Sequence, residues 1–181
     1  MSQSRRNPKP LDPARLEELA LAYVARFATT KAKLRSYLDR KVRERGWDSE
    51  SRPQIAELAE KFESNGFIDD AAFARAKTGS LLRRGYGMRR VSQALYGAGV
   101  EQEAGEVAPV SERDRREAAL TLARKRRFGP FKAEPLDRSA REKQIAAMLR
   151  AGHALDDVLM LVDAASAEAA EDWAAQGEED Q

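Results

Sequence analysis

The stretch GFIDDAAFARAKTGSLLRRGYGMRRVSQALYGAGV, residues 66–100, opens on two adjacent acids, and thirty residues, 71–100, then follow without another. Six basic residues fall in that run: Arg75, Lys77, Arg83, Arg84, Arg89 and Arg90. The acid pair reads as a helix start. Asp69 is a good N-cap, Ile68 before it and Phe73 after it form a hydrophobic staple, and Asp70 sits in the first turn, where the helix dipole favours negative charge. A metal site would need further ligands converging on the pair, and the single His153 and the spacing supply none. The stretch therefore reads as two helices, near 69–84 and 88–97, joined at the basic junction RRGYGMRR.

The same devices recur on both sides. Leu16, Leu19, Ala20, Tyr23, Val24 and Phe27 keep the i, i+3, i+4, i+7 rule, as do Ile55, Leu58, Ala59 and Phe62, and then Leu155, Val158, Leu159 and Val162. Asp12 before Pro13 is a cap followed by a favoured first helical residue, stapled by Leu11 and Leu16. Asp156 repeats the cap with Leu155 and Met160. Ser111 with Asp114, and Ser139 with Glu142, read as capping boxes. No segment alternates apolar and polar residues, and no hairpin signal occurs. The fold class is all-α, with helices expected near 12–27, 30–45, 52–64, 69–84, 88–97, 111–127, 139–151 and 155–174. A further helix over 101–110 is the weakest, because Gly105 and Pro109 disfavour it.

A repeat of roughly fifty residues is visible. KAKLRSYLDRKVRERGW (31–47), MRRVSQALYGAGV (88–100) and REKQIAAMLRAGH (141–153) each carry basic residues, apolar positions four apart and a closing glycine. Gly46, Gly99 and Gly152 suit the left-handed position after a helix. Each unit is too small to bury its own apolar faces, so tandem three-helix units sharing a core are expected. The divisions are a disordered arm (1–10), repeats over 11–66, 67–110 and 111–174, and an acidic disordered tail (175–181). Trp47 and Phe67, each after a glycine, are expected in the core.

The net charge of +2 conceals an asymmetry. Residues 1–47 hold twelve Lys and Arg against five acids, residues 111–150 twelve against six, and residues 156–181 nine acids with no Lys or Arg. A basic body with an acidic end suggests a polyanionic partner or a surface with acidic patches, with a solvated, charge-rich helical surface as the competing reading. The end, EAAEDWAAQGEEDQ (168–181), reads as a solubilising tail, with competition for the basic faces as the alternative. There is no cysteine, no apolar run of membrane-spanning length and no secretory signal at the start, so a soluble cytoplasmic protein is expected.

The series of motifs resembles a known family. The stretch 66–100 is similar to the central signature of the RecX regulatory proteins. ALAYVARFATTKAKLRSYLDRKVRERGW is similar to their first repeat, and REKQIAAMLRAGHALDDVLMLV, more loosely, to their third. The match covers roughly residues 16–162. His153 stands where the family more often places an aromatic. The resemblance implies tandem three-helix repeats in an elongated, curved body, with no cofactor and a monomeric state. It also implies a non-enzymatic regulator that binds the RecA recombinase and its DNA filament. Such a regulator inhibits ATPase, strand exchange and filament growth in homologous recombination, DNA repair and the SOS response, and touches DNA weakly through phosphates.

On that reading the basic faces dock the partner. Lys31, Lys33 and Arg35 act from the first repeat, and Arg83, Arg84, Arg89 and Arg90 around the glycine junction. Arg124, Lys125, Arg126 and Arg127 extend the track in the third. The competing reading of each cluster is a solvated helix face or helix end. Tyr86 would stack on a base or fill a partner's pocket, although packing against a neighbouring helix is the preferred reading. The alternative function is an autonomous helical DNA-binding protein, transcriptional or architectural. An enzyme is poorly supported, with one histidine, no cysteine and no phosphate-cradling loop.

Overall fold

A computed structural model describes residues 9–100, 109–133 and 137–177. Every regular element among them is helical, and their β contact is an isolated parallel bridge between Leu11 and Trp47. Residues 101–108 of the expected helix over 101–110, the arm before Lys9 and the last four residues lie outside the described residues, and Pro109 and Val110 are not helical. The chain forms two compact units. One comprises the described residues up to Phe73 with Ala98–Val100, and the other Ala74–Gly97 with the described residues after Val100.

In the first unit, α1 (Pro13–Val24) starts where expected: Asp12 accepts a hydrogen bond from Arg15 N at 2.8 Å. Leu11 and Leu16 both enter the core. They join Ala20 of α1, Leu34 and Leu38 of α2 (Lys31–Arg45), and Ile55, Ala59 and Phe62 of α3 (Ile55–Ser64). Trp47 packs against this cluster, as expected. Phe67 does not: it is 54% exposed, with its ring against that of Phe62. Following a glycine marked a turn, not an inward-facing position. Gly46 has φ +82°, as its place after α2 requires.

The acid pair works structurally on two helices. Asp69 caps α4 (Asp70–Arg83) by accepting from Ala72 N at 2.7 Å. Asp70 reaches across thirty-nine positions and accepts from Lys31 N at 2.9 Å, satisfying one of the unpaired donors at the start of α2. Burial pushes the Asp70 carboxyl above its usual range, against the opposing pull of that hydrogen bond. Thr30 completes the site: its buried hydroxyl donates to Ala98 O and accepts from Lys33 N. Gly99 takes the left-handed conformation expected of it, with φ +73°, but it does not directly end a helix and also serves close approach. α5 (Met88–Tyr96) stops at Gly97, and a Cβ on Gly99 would collide with the Ala32 side chain.

In the second unit, α6 (Glu112–Arg126) is capped by Ser111, which accepts from Asp114 N at 3.0 Å. A 3₁₀ turn at Gly129–Phe131 follows. α7 (Arg138–Ala151) is capped by Asp137, not by Ser139: Asp137 accepts from Ala140 N, while Glu142 pairs with Arg138. The helix expected over 155–174 is two helices, α8 (Leu155–Val162) and α9 (Ala167–Ala175). Ser166 caps α9 by accepting from Ala169 N. Asp156 is no cap either: α8 starts after Ala154, so Asp156 and Asp157 both lie in the first turn.

α9 is part of the fold, which corrects the reading of 168–181 as a tail. Ala170 and Ala174 are buried in the core with Leu120, Met148 and Leu161, and Trp173 packs on it. Arg116 of α6 donates to Trp173 O at 2.9 Å and lies over its ring. Removing residues from 168 onward would therefore open the core.

Candidate functional site

The second unit is built around two glycine turns that meet backbone to backbone. One is Gly85–Tyr86–Gly87, between α4 and α5. The other is Ala151–Gly152–His153, between α7 and α8. Gly87 N donates to Ala151 O at 3.0 Å and Arg89 N donates to Gly152 O at 3.1 Å. A Cβ on Gly87 would land on the carbonyl of Gly152 and the nitrogen of His153. A Cβ on Gly85 would stand 3.0 Å from Leu122 N, so the same turn is also seated on α6. Side chains are excluded from this contact because the backbones need the space.

His153 locks the turns together. It is buried, and its Nε2 lies 3.0 Å from Gly85 O. A carbonyl oxygen only accepts, so Nε2 carries the hydrogen and donates. Burial holds the His153 pKa below the ordinary 6.5, outweighing the carbonyl contact and the nearby charge of Asp157. The folded protein thus binds this proton less readily than the unfolded chain. The stabilisation is complete above about pH 6.5 and is lost as pH falls below it, by at most about 1.4 kcal/mol per pH unit. Urea denaturation between pH 7 and pH 5.5 should show this loss, and His153→Gln, which keeps a donor but not the titration, should flatten it. A variant with the same pH slope as the parent would show that another group is responsible.

The docked turns bring separate basic segments to one pocket of about 380 Å³. Arg84 follows the end of α4, Arg90 belongs to α5, Lys125 and Arg126 come from the last turn of α6, and Arg150 from the last turn of α7. The apolar part of the wall is Leu122, Phe128, Ala147 and Ala151, with Tyr86 beside them. The Arg84 guanidinium lies over the Tyr86 ring, 5.3 Å from its centre. Two neighbouring depressions share Arg90; one adds Arg89 and the other Lys77. Among the described residues, no acidic residue lines any of the three. Five cations held around one concavity, with no carboxylate among the described lining residues, create a positive potential that favours an anion. A depression in the first unit, about 240 Å³ beside Trp47, has instead Glu17 and Glu57 against Arg52 and Lys61.

The structure thus gathers Arg84, Tyr86, Arg90, Lys125 and Arg126, with Arg89 at the edge. Arg83 is elsewhere, its guanidinium turned back beside Gly79. Arg124 is paired with Glu171 at 2.6 Å, and Arg127 ends α6 with φ +56°. In the first unit, Lys31 pairs with Glu63 at 2.7 Å and Glu60 at 3.2 Å, and the Glu63 hydrogen bond chiefly raises its pKa. Lys33 covers the Phe73 ring, and Arg35 is exposed. Arg150 escaped the sequence reading. Its signal was its place two residues before Gly152, matching Arg84 near Gly85. Among the described residues no group of three or more His, Cys, Asp or Glu is placed to hold a metal, and no helix is long and apolar enough to cross a membrane.

The pocket's first wall falls in a recognised domain: residues 69–108 match the family model described as RecX, second three-helix domain. The regulatory protein RecX of Myxococcus xanthus is 35% identical over 170 residues, covering 87% of this chain and 89% of that protein. That of Thermus thermophilus is 34% identical over 114 residues, 63% of this chain and 75% of its own. The crystal structure of RecX from Lactobacillus salivarius shares the fold, with a TM-score of 0.64 at 18% identity over 80% of this chain and 90% of that one. Kinship over nearly the full length of the Myxococcus protein, with the glycine junction inside the matched domain, makes this chain a member of the RecX family of regulatory proteins.

Proposed function

We propose that the protein is a non-enzymatic regulator of the RecA recombinase, acting in the cytoplasm as a single chain on the RecA–DNA filament. The three-repeat division at 11–66, 67–110 and 111–174 belongs to this reading. The observation that carries it is the uncompensated cationic pocket in a RecX-family chain. A recombinase filament offers DNA phosphates and protein surface together, so a cationic site with an apolar wall suits it. Cations at the pocket supply attraction and orientation, with weak phosphate contacts to DNA. Inhibition requires differential binding: the regulator must favour a shorter or inactive filament over a growing one.

The test is the ATPase of preformed RecA filaments titrated with this protein. The rate should fall at a regulator concentration well below that of the recombinase, since one bound molecule affects many subunits. An unchanged rate at equimolar protein, together with sequence-specific duplex binding, would replace this reading with an autonomous DNA-binding protein.

A further inference from the structure

We propose that the cationic pocket of the second unit binds one nucleoside phosphate, its phosphates on Arg84, Arg90 and Arg150 and its base on the apolar wall beside Tyr86. The inference goes beyond recombinase regulation and rests on the pocket alone. Size comes first. A concavity of about 380 Å³ lies within the usual range for small-ligand sites. Composition comes second. A site for bare phosphate would need only the cations. This one also presents the apolar side chains of Leu122, Phe128, Ala147 and Ala151. The ligand that satisfies both halves is anionic at one end and flat and weakly polar at the other.

The third point is order. Arg84 lies over the Tyr86 ring, and Arg90 donates to Gln93 Oε1 at 2.9 Å. Both guanidiniums are thereby oriented before a ligand arrives, which lowers the entropic cost of binding. The backbone beneath them is fixed by the docked glycine turns. The two sources of this chemistry are a free nucleotide and one unstacked unit of a single strand.

Calorimetry on the purified full-length chain at about 50 mM salt, where phosphate contacts are strong, tests the proposal with ADP, inorganic pyrophosphate and adenosine. ADP should bind at one site, at least about tenfold tighter than either fragment, since each supplies only half of the contacts. Arg90→Ala with Arg150→Ala should weaken ADP and pyrophosphate alike, by about tenfold or more. Both residues are exposed, so the fold should survive, as circular dichroism would verify. Tyr86→Leu should weaken ADP clearly more than pyrophosphate, which loses only the ordering of Arg84 over the ring. A thymidylate tetranucleotide displacing ADP more tightly than dTMP does assigns the site to single strands; equal displacement assigns it to free nucleotides. Pyrophosphate bound as tightly as ADP, undiminished ADP binding by the double variant, or no saturable heat would each overturn the proposal.

Discussion

Gly87→Ala is expected to destabilise the second unit by about 3 kcal/mol or more, a large cost for adding one methyl group. The cost is steric and not conformational. Gly87 has φ −84° and ψ 173°, extended values that alanine adopts freely. What forbids the methyl group is the opposing backbone, the Gly152 carbonyl and the His153 nitrogen, neither of which can rotate away. Relief requires the two turns to separate. That breaks the hydrogen bonds from Gly87 N and Arg89 N and uncovers Gly85 O from His153. Gly79→Ala is the control in the same unit. It lies inside α4, where the new Cβ would meet only the flexible end of Arg83, and a helical Gly-to-Ala change should stabilise by about 0.5–1 kcal/mol. Urea denaturation followed by circular dichroism measures both. Gly87→Ala within about 0.5 kcal/mol of the parent would mean that the turns are not in backbone contact.

That junction also shows how far local pattern carries. Asp12, Asp69 and Ser111 were readable as caps because capping is a rule about four consecutive residues. The split between α8 and α9 was not. Residues 163–166, DAAS, contain neither glycine nor proline, and alanine there argues for continuation. Only Ser166 marked a new start. Asp70 illustrates the complementary failure. Its place in a first turn was visible, but its bond to Lys31 N depends on a neighbour thirty-nine positions away. The pocket shares that property. Four of its five cations lay in basic runs conspicuous in the sequence. Which of them converge was decided by Gly85, Gly87 and Gly152, whose lack of a side chain lets four helix ends meet. Arg83 and Arg84 are adjacent and equally charged, yet Arg84 lines the pocket and Arg83 folds back along α4. Charge counting cannot separate them.

Reversing charge at the pocket should therefore have a far larger effect than reversing it elsewhere. Arg90→Glu with Arg150→Glu removes two of the five cations and puts two carboxylates beside the remaining three. If these groups contact phosphate or acidic protein surface, filament binding should weaken by about a hundredfold or more, with attraction lost and repulsion added. The direct DNA component supplies an independent readout. Each lost phosphate contact lowers the slope of log affinity against log salt by about 0.9, so the double variant should be less salt-sensitive by about two. The comparison pair is Lys33→Glu with Arg35→Glu in the first unit. Lys33 covers Phe73 and Arg35 is exposed, and neither lines the cationic pocket. Loss there should be a few-fold, the usual worth of dispersed surface charge. Filament co-sedimentation across a salt series, with each variant's melting temperature as the folding control, ranks the two pairs. The reverse order, with the first-unit pair abolishing binding and the pocket pair sparing it, would transfer the contact surface to α2 and leave the pocket without a part in recombinase recognition.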